Sequence, residues 1–152
     1  MIPVTHMLTT ADFVYRMKAA PMKAIVCTCQ NEVPSKIRQA LKESGIHAKL
    51  WCAQGDAEGF ENLNEAMEKE NEEFARVETL ASEPMLLYFT SGTTGTPKGV
   101  MLSHGNFLAQ LEELPERIMI NPGEKALLVL PVWHVFEREV EYVILIQGGS
   151  LC

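Results

Sequence analysis

Residues 23–52 have the pattern of two β-strands joined by one helix, and this pattern restricts the fold more than any other part of the chain. "KAIVCT" and "HAKLWC" are short, largely apolar runs, which are typical of buried strands. Between them, "VPSKIRQALKESG" has Pro34 near its start and Gly45 just past its end, the asymmetry that marks helix boundaries. Two strands joined by a helix in so short a stretch form a parallel pair with a right-handed crossover.

The rest of the chain continues this alternation. An acidic, solvated helix is predicted for 61–77, Ser103 is a candidate cap for a helix that Pro115 ends, and a largely apolar helix ends at Gly148. Further strands are predicted for 84–89, 99–102 and 125–131. The sequence therefore predicts an α/β fold, with a mainly parallel sheet and helices on both faces, in a single domain over residues 1–152.

Charge and hydropathy exclude several classes of function. A formal net charge of −7 argues against a nucleic-acid backbone or an anionic membrane as partner. No window approaches the ~18 uninterrupted apolar residues of a membrane span, and the first residues lack the pattern of a signal peptide.

The spacing of the carboxylates singles out no metal site. Because no C-x-x-C pair occurs, Cys27 and Cys29 are predicted to be buried, reduced thiols, which favours a cytoplasmic location.

The segment "YFTSGTTGTPKGV" (88–100) leaves an apolar strand for hydroxyls and glycines with one cation, Lys98. Glycine permits close backbone approach, so successive N–H groups can converge on one anion, and the hydroxyls and the lysine add further phosphate partners. The spacing is not that of the P-loop, because Thr-Pro separates Gly95 from Lys98. We interpret the segment as a polyphosphate-binding loop at the carboxyl end of a strand, with a Gly/Thr-rich surface turn as the alternative.

Read further, as "YFTSGTTGTPKGVMLSH", this segment resembles the signature loop of the adenylate-forming, AMP-producing acyl-CoA synthetase superfamily. A second segment, "LPVWHVFEREVEY" (130–142), resembles the aromatic–His segment of its long-chain fatty acyl-CoA synthetase branch. The two motifs and their flanks cover residues 86–151. Residues 1–85 also resemble the superfamily, but they are more similar to its acetate or medium-chain acid branch. A hybrid sequence joined at the loop would show such a difference between its two parts.

The resemblance implies a two-step ligase reaction. A carboxylate attacks the α-phosphate of Mg²⁺-bound ATP to give an acyl-adenylate and pyrophosphate, and the thiol of coenzyme A then displaces AMP. The implied partners are small molecules: ATP with Mg²⁺, a carboxylic or fatty acid, and coenzyme A. The implied ATP phosphate-binding residues are Thr90, Ser91, Gly92, Thr93, Thr94, Gly95 and Lys98. They would position the phosphates and neutralise charge, since the family's catalytic lysine belongs to a C-terminal domain that this chain lacks.

The resemblance also places Trp133, His134 and Phe136 on the acyl and carboxylate side of the site. His134 is the candidate catalytic residue, donating a hydrogen bond to the substrate carboxylate. From spacing alone, His134 could equally be a core or helix-capping histidine. Three charged residues that follow are predicted to form surface ion pairs rather than an acid–base pair: Glu137, Arg138 and Glu141.

Members of the superfamily are several times longer than this chain. We therefore expect a truncated part of their large N-terminal domain, without complete ligase activity by itself. The alternatives are a stand-alone nucleotide- or phosphate-binding module without catalysis, and a relic that binds nothing. The exposed edge of a truncated sheet would also favour self-association.

Overall fold

The computed structural model describes residues 1–90, 97–131 and 133–152. Its contacts divide the chain into two compact units. The amino-terminal unit is Thr5–Arg76, and the carboxyl-terminal unit joins Met1–Val4 to Val77–Cys152. The single domain over residues 1–152 remains a prediction.

The amino-terminal unit confirms the predicted strand–helix–strand pattern. Its elements are α1 (Thr10–Ala19), β1 (Ala24–Thr28), α2 (Val33–Ser44), β2 (Lys49–Ala53), β3 (Glu61–Asn62) and α3 (Leu63–Glu68). β1 and β2 are parallel, with Ala24 opposite Lys49 and Thr28 opposite Ala53, and β3 pairs in parallel with β2. Gly45 ends α2 with a φ of 72°, a left-handed conformation that glycine adopts at little cost.

Helix α1 was not predicted from the sequence, and a capping box fixes its start. The Asp12 N–H donates to the Thr9 hydroxyl (3.2 Å), while the Thr9 N–H donates to the Asp12 carboxylate (3.0 Å). Thr-x-x-Asp before Phe13 and Met17 is the sequence signal that marks this helix. Helices α1 and α2 together form the buried core cluster of the unit, which consists of Phe13, Met17, Val33, Ile37 and Ala40.

The predicted acidic helix over 61–77 forms only in part. α3 ends at Glu68, and an irregular segment follows. The side chains of Phe74 and Val77 are 84% and 73% exposed, so the expected apolar face is not buried. Without a buried face, a helix rich in glutamates gains too little to offset the repulsion between like charges. The prediction is therefore wrong beyond Glu68, and also at Glu61–Asn62, which form strand β3.

The carboxyl-terminal unit places an antiparallel hairpin beside two longer helices. Its elements are β4 (Pro84–Thr90), β5 (Lys98–Ser103), α4 (His104–Glu113), a 3₁₀ turn (Leu114–Glu116), β6 (Lys125–Ala126), α5 (Val135–Ile146) and β7 (Ser150–Leu151). β4 and β5 are antiparallel, and β6 and β7 are parallel. On β4, the Leu87 N–H donates to the Met1 carbonyl (2.9 Å), and the Met1 ammonium donates to the Met85 carbonyl (2.9 Å).

The helix boundaries predicted in this unit are confirmed. The Asn106 N–H donates to the Ser103 hydroxyl (3.2 Å), so Ser103 caps α4. Pro115 lies in the 3₁₀ turn that ends α4, and Gly148 follows α5 with a φ of 79°. The buried core is Leu86, Tyr88 and Phe107, against which Met85, Leu102, Val135 and Tyr142 pack.

The strand predicted for 125–131 is much shorter in the structure. Only Lys125 and Ala126 pair with a neighbour, the strand β7. Leu127 and Val129 are 75% and 79% exposed. The prediction is wrong beyond Ala126, because an apolar run forms a strand only where a second strand completes its hydrogen bonds.

The cysteines differ in part from the prediction. Cys29 and Cys52 form a disulfide, with their Cα atoms 6.2 Å apart, so the predicted reduced state is wrong for Cys29. Cys27 is free and partly buried, as predicted, and Cys152 is free and exposed. The pairing joins residues 23 positions apart, which local sequence patterns do not reveal.

Candidate functional site

The predicted phosphate-binding loop connects β4 to β5. Thr90, the last residue of β4, lies opposite Lys98, the first residue of β5. Both residues are exposed, so the hydroxyl and the ammonium are accessible at the loop end of the hairpin. Five of the predicted phosphate ligands lie outside the described residues: Ser91, Gly92, Thr93, Thr94 and Gly95.

The backbone is close-packed beside this pair. Gly99 lies opposite Phe89, and a Cβ at Gly99 would approach the Leu87 side chain to 3.0 Å. At the other end of β5, the Gly105 N–H donates to the Ala81 carbonyl (2.7 Å), and a Cβ there would lie 3.0 Å from that oxygen. Both contacts are close, but the contact at Gly105 is with backbone, which cannot move aside as the end of the Leu87 side chain can.

The second predicted group lies at the start of α5. His134 is the N-cap, and its Nδ1 accepts a hydrogen bond from the Phe136 N–H (3.2 Å). A neutral imidazole that accepts at Nδ1 carries its proton on Nε2, so the outer nitrogen is the donor. His134 and Phe136 are exposed, and Trp133 is partly buried. The structure thus confirms that His134 caps the helix, and the Nε2–H of His134 remains able to donate to a ligand.

The charged residues that follow His134 do not lie on the surface as predicted. Glu137 is only 2% exposed. Arg138 and Glu141 do form the expected ion pair (3.1 Å), but their side chains are only 27% and 14% exposed. Burial of this segment is set by packing within the carboxyl-terminal unit, which the i,i+3 and i,i+4 spacing of the charges does not reveal.

Tyr88 is a buried polar residue that the sequence analysis did not single out. It lies on β4 two residues before Thr90 and packs with Phe107, Val135 and Tyr142. Like Oε1 of Glu137 and Nε of Arg138, the buried Tyr88 hydroxyl has no hydrogen-bond partner within the described residues. Burial raises the pKa of Tyr88, and the positive charge of Arg138 opposes this shift. Tyr88 therefore remains a neutral phenol at physiological pH.

Neither a metal site nor a membrane span is found in the described part of the chain. Among residues 1–90, 97–131 and 133–152, no three His, Cys, Asp or Glu side chains come together in a way that could hold a metal ion. The described residues therefore provide no ligand set for Mg²⁺, and we assign it no protein ligand. Of the helices described, none combines the length and the apolar character needed to cross a bilayer.

The sequence of this chain is similar to those of known proteins. The sequence pattern of one family, described as "AMP-binding enzyme", matches residues 1–152. Mitochondrial acyl-coenzyme A synthetase ACSM3 of Mus musculus is 37% identical over 107 residues, which are 70% of this chain and 18% of that protein. A chloroplastic long-chain-fatty-acid–[acyl-carrier-protein] ligase of Arabidopsis thaliana, AEE15, is 48% identical over 62 residues, 41% of this chain and 8% of that protein.

A solved structure has the same fold. MatB from Rhodopseudomonas palustris, crystallised with ATP bound, superposes with a TM-score of 0.80 at 25% identity. The match covers 99% of this chain and 29% of that one. The α/β architecture with parallel strands is therefore confirmed, and the chain spans less than a third of the length of each of these three proteins.

Proposed function

The chain belongs to the AMP-binding enzyme family, and we propose that it is part of an ATP-dependent acid–CoA ligase. In this proposal the whole protein activates a carboxylic acid as an acyl-adenylate and then forms a thioester. The structural observation that carries the proposal is the placement of Thr90 opposite Lys98, which sets a hydroxyl and a cation at the two ends of the Thr/Gly-rich loop.

Phosphate binding is assigned to this loop. Lys98 would neutralise charge on the β- and γ-phosphates, and the hydroxyl of Thr90 would donate to a phosphate oxygen. Ser91, Gly92, Thr93, Thr94 and Gly95 belong to the same proposed set on the strength of the motif. Their contribution is to position the triphosphate for attack at the α-phosphate and to lower the cost of its charge, without covalent chemistry.

Binding of the carboxylic acid substrate is assigned to the start of α5. The Nε2–H of His134 would donate to the substrate carboxylate, because the cap bond from Phe136 holds the proton on the outer nitrogen. Trp133 and the 46%-exposed ring of Phe136 would border the acyl chain. A role in binding and orienting the carboxylate is therefore proposed for His134, in addition to its observed role as a cap.

We propose a fatty acid as the substrate class. The segment 130–142 and the name of the Arabidopsis relative support a long chain, and the acceptor in that name is acyl-carrier protein rather than coenzyme A. Coenzyme A is supported by the mouse relative, which is named an acyl-coenzyme A synthetase. ATP is the proposed cosubstrate, and Mg²⁺ would accompany it through the phosphates.

The other sequence-based expectations stand as proposals. No observation favours a nucleotide-binding module without catalysis over a ligase. Self-association would use the sheet edge at "GGSLC", where the exposed residues Ser150 and Leu151 form β7. A cytoplasmic location rests on the cysteine pattern, to which Cys29 no longer contributes, and the two relatives described above are named mitochondrial and chloroplastic.

Titration calorimetry with pyrophosphate and with Mg²⁺-ATP tests the phosphate assignment on the 152-residue chain. Lys98→Ala should weaken pyrophosphate binding by about tenfold or more, because a charge-assisted contact is lost. Lys125→Ala, which removes an equally exposed lysine from β6, should leave binding unchanged. If the wild-type chain binds neither ligand, or if both variants lose affinity equally, the phosphate site is not at this hairpin.

A further inference from the structure

We propose that Cys29 and Cys52 form a redox modification site, a dithiol that exchanges electrons with glutathione-class thiols and disulfides. In its oxidised form the pair fastens the segment after β1 to strand β2. The Cα atoms are 6.2 Å apart, within the range of about 4.4–6.8 Å that a disulfide spans without backbone movement. The proposal concerns the amino-terminal unit and is independent of the proposed ligase function.

The position of the pair explains what oxidation would hold in place. Cys29 directly follows β1, and Cys52 lies in β2, so the bond closes the carboxyl end of the parallel pair. Asn31 and Glu32, two and three residues after Cys29, have φ values of 51° and 58°. Left-handed backbone at a non-glycine residue is unfavourable and persists only where the surroundings enforce it. The disulfide is the covalent constraint nearest to these two residues.

The start of α2 depends on the same segment. Glu32 is the N-cap of α2, and its side chain makes no capping hydrogen bond. Local contacts at this start are the Val33 N–H donating to the Gln30 carbonyl (3.1 Å) and the Ser35 hydroxyl donating to the Glu32 carbonyl (2.7 Å). Loss of the Cys29–Cys52 bond would therefore loosen the segment from Cys29 to Val33 and the first turn of α2.

The sulfur of Cys29 is the one that a small thiol can reach. Cys52 has no exposed surface, whereas Cys29 is partly exposed. Gly55 lies next to this sulfur, since a Cβ there would be in ordinary contact with it at 3.5 Å. One glutathione thiolate attacks the Cys29 sulfur, the Cys29–Cys52 bond breaks, and Cys52 leaves as a thiolate that takes a proton from water. A second glutathione attacks the mixed disulfide and releases the Cys29 thiol with oxidised glutathione, so two electrons pass to the protein.

Cys27 is a third thiol close to the pair. It lies directly opposite Cys52 in the β1–β2 register and is free. Burial raises the pKa of Cys27 to about 11, so its thiol stays protonated at neutral pH and is a poor nucleophile. Exchange is therefore expected to remain between Cys29 and Cys52, with a Cys27–Cys52 bond as the rival pairing.

A glutathione redox titration tests the site. All variants carry Cys152→Ser, which removes the exposed free thiol. After equilibration, alkylation of the unfolded chain is counted by mass. One free thiol is expected in the oxidised form, Cys27, and three in the reduced form, Cys27 with Cys29 and Cys52. Cys29→Ser and Cys52→Ala should abolish the two-electron transition, while Cys27→Ser should retain it.

Several outcomes would overturn the proposal. Three free thiols at every oxidising ratio would show that the bond does not form. Loss of the transition in Cys27→Ser, or a peptide map that links Cys27 to Cys52, would show that the pairing is wrong.

A structural readout tests the fastening role separately. Reduction should speed amide exchange at residues 30–33 and lower the melting temperature by on the order of 10 °C. The Cys29→Ser variant should not respond to reductant. Equal exchange and equal melting of the oxidised and reduced wild-type chain would overturn this role.

Discussion

The backbone N–H of Phe136 donates to Nδ1 of His134 (3.2 Å), so one side chain both caps α5 and presents its second nitrogen outward. The cap and the proposed contact with a carboxylate use different atoms of the ring. A substitution that preserves one and removes the other can therefore separate the two roles.

His134→Ala should destabilise the chain by about 1 kcal/mol, the usual cost of losing an N-cap. His134→Asn should keep the stability close to wild type, since asparagine is a good N-cap, but it lacks a donor at the position of Nε2. Urea unfolding and calorimetric titration with a fatty acid measure the two effects. If Nε2 binds the carboxylate, both variants should lose affinity for the fatty acid. Full affinity in His134→Asn would show that His134 acts only as a helix cap.

Tyr88→Phe should stabilise the chain by about 1 kcal/mol, because it removes a buried hydroxyl without a hydrogen-bond partner in the described part of the chain. Tyr142→Phe is the matched control. The Tyr142 ring packs edge-on against Phe107, with centroids 6.1 Å apart, and this contact does not need the hydroxyl. Thermal unfolding measures both; a clear loss of stability in Tyr88→Phe would mean that the hydroxyl has a partner.

The capping box of α1 should make stability depend on pH. The hydrogen bonds from Thr9, with the help of Arg16, lower the pKa of Asp12 below its ordinary value of 3.8. A carboxyl with a lowered folded-state pKa adds stability above the unfolded value and loses it as the pH falls through the folded value. The difference in unfolding free energy between wild type and Asp12→Asn should therefore be constant above about pH 5 and disappear in stronger acid.

Denaturant titrations at several pH values measure this difference. Glu72→Gln, which removes an exposed carboxylate from the irregular segment after α3, is the control and should show no such loss. A difference between wild type and Asp12→Asn that does not change down to pH ~2 would contradict a lowered pKa at Asp12.

Gly105→Ala should destabilise the chain by about 1–3 kcal/mol, because the new Cβ would meet the backbone carbonyl of Ala81 at 3.0 Å. Gly99→Ala offers a matched comparison. There the Cβ would also approach to 3.0 Å, but against the end of the Leu87 side chain, which can rotate away. Chemical denaturation should rank Gly105→Ala as the more damaging change; equal effects would show that the segment at Ala81 yields as easily as a side chain.

Local signals account for the parts of the fold that the sequence predicted. Gly45, Ser103 and Pro115 mark helix ends through their own backbone or side chain, so their effect is visible within a few residues. The strand–helix–strand pattern of 23–52 is also local. The capping box at Thr9 is equally local, and α1 could have been predicted from it.

Features that depend on distant contacts were missed. Whether 69–77 continues a helix, or 127–131 a strand, depends on a packing partner that no local pattern reveals. The burial of Glu137 and the bond between Cys29 and Cys52 are likewise set by tertiary structure. At the candidate site, the motif identified Thr90, Lys98 and His134, but neither the antiparallel pairing of the first two nor the capping bond of the third could be read from it.

Met1–Val4 is part of the carboxyl-terminal unit, although Thr5–Arg76 separates it in sequence from the rest of that unit. This arrangement has a consequence for proteolysis. A protease acting in the exposed stretch between α3 and β4 would divide the carboxyl-terminal unit, because Met1 and the middle of β4, which share two hydrogen bonds, would then belong to different pieces. Such bonds contribute about 1 kcal/mol each, too little to hold two pieces together by themselves. Recombinant expression of residues 77–152 alone would leave the N–H of Leu87 without the acceptor that Met1 supplies.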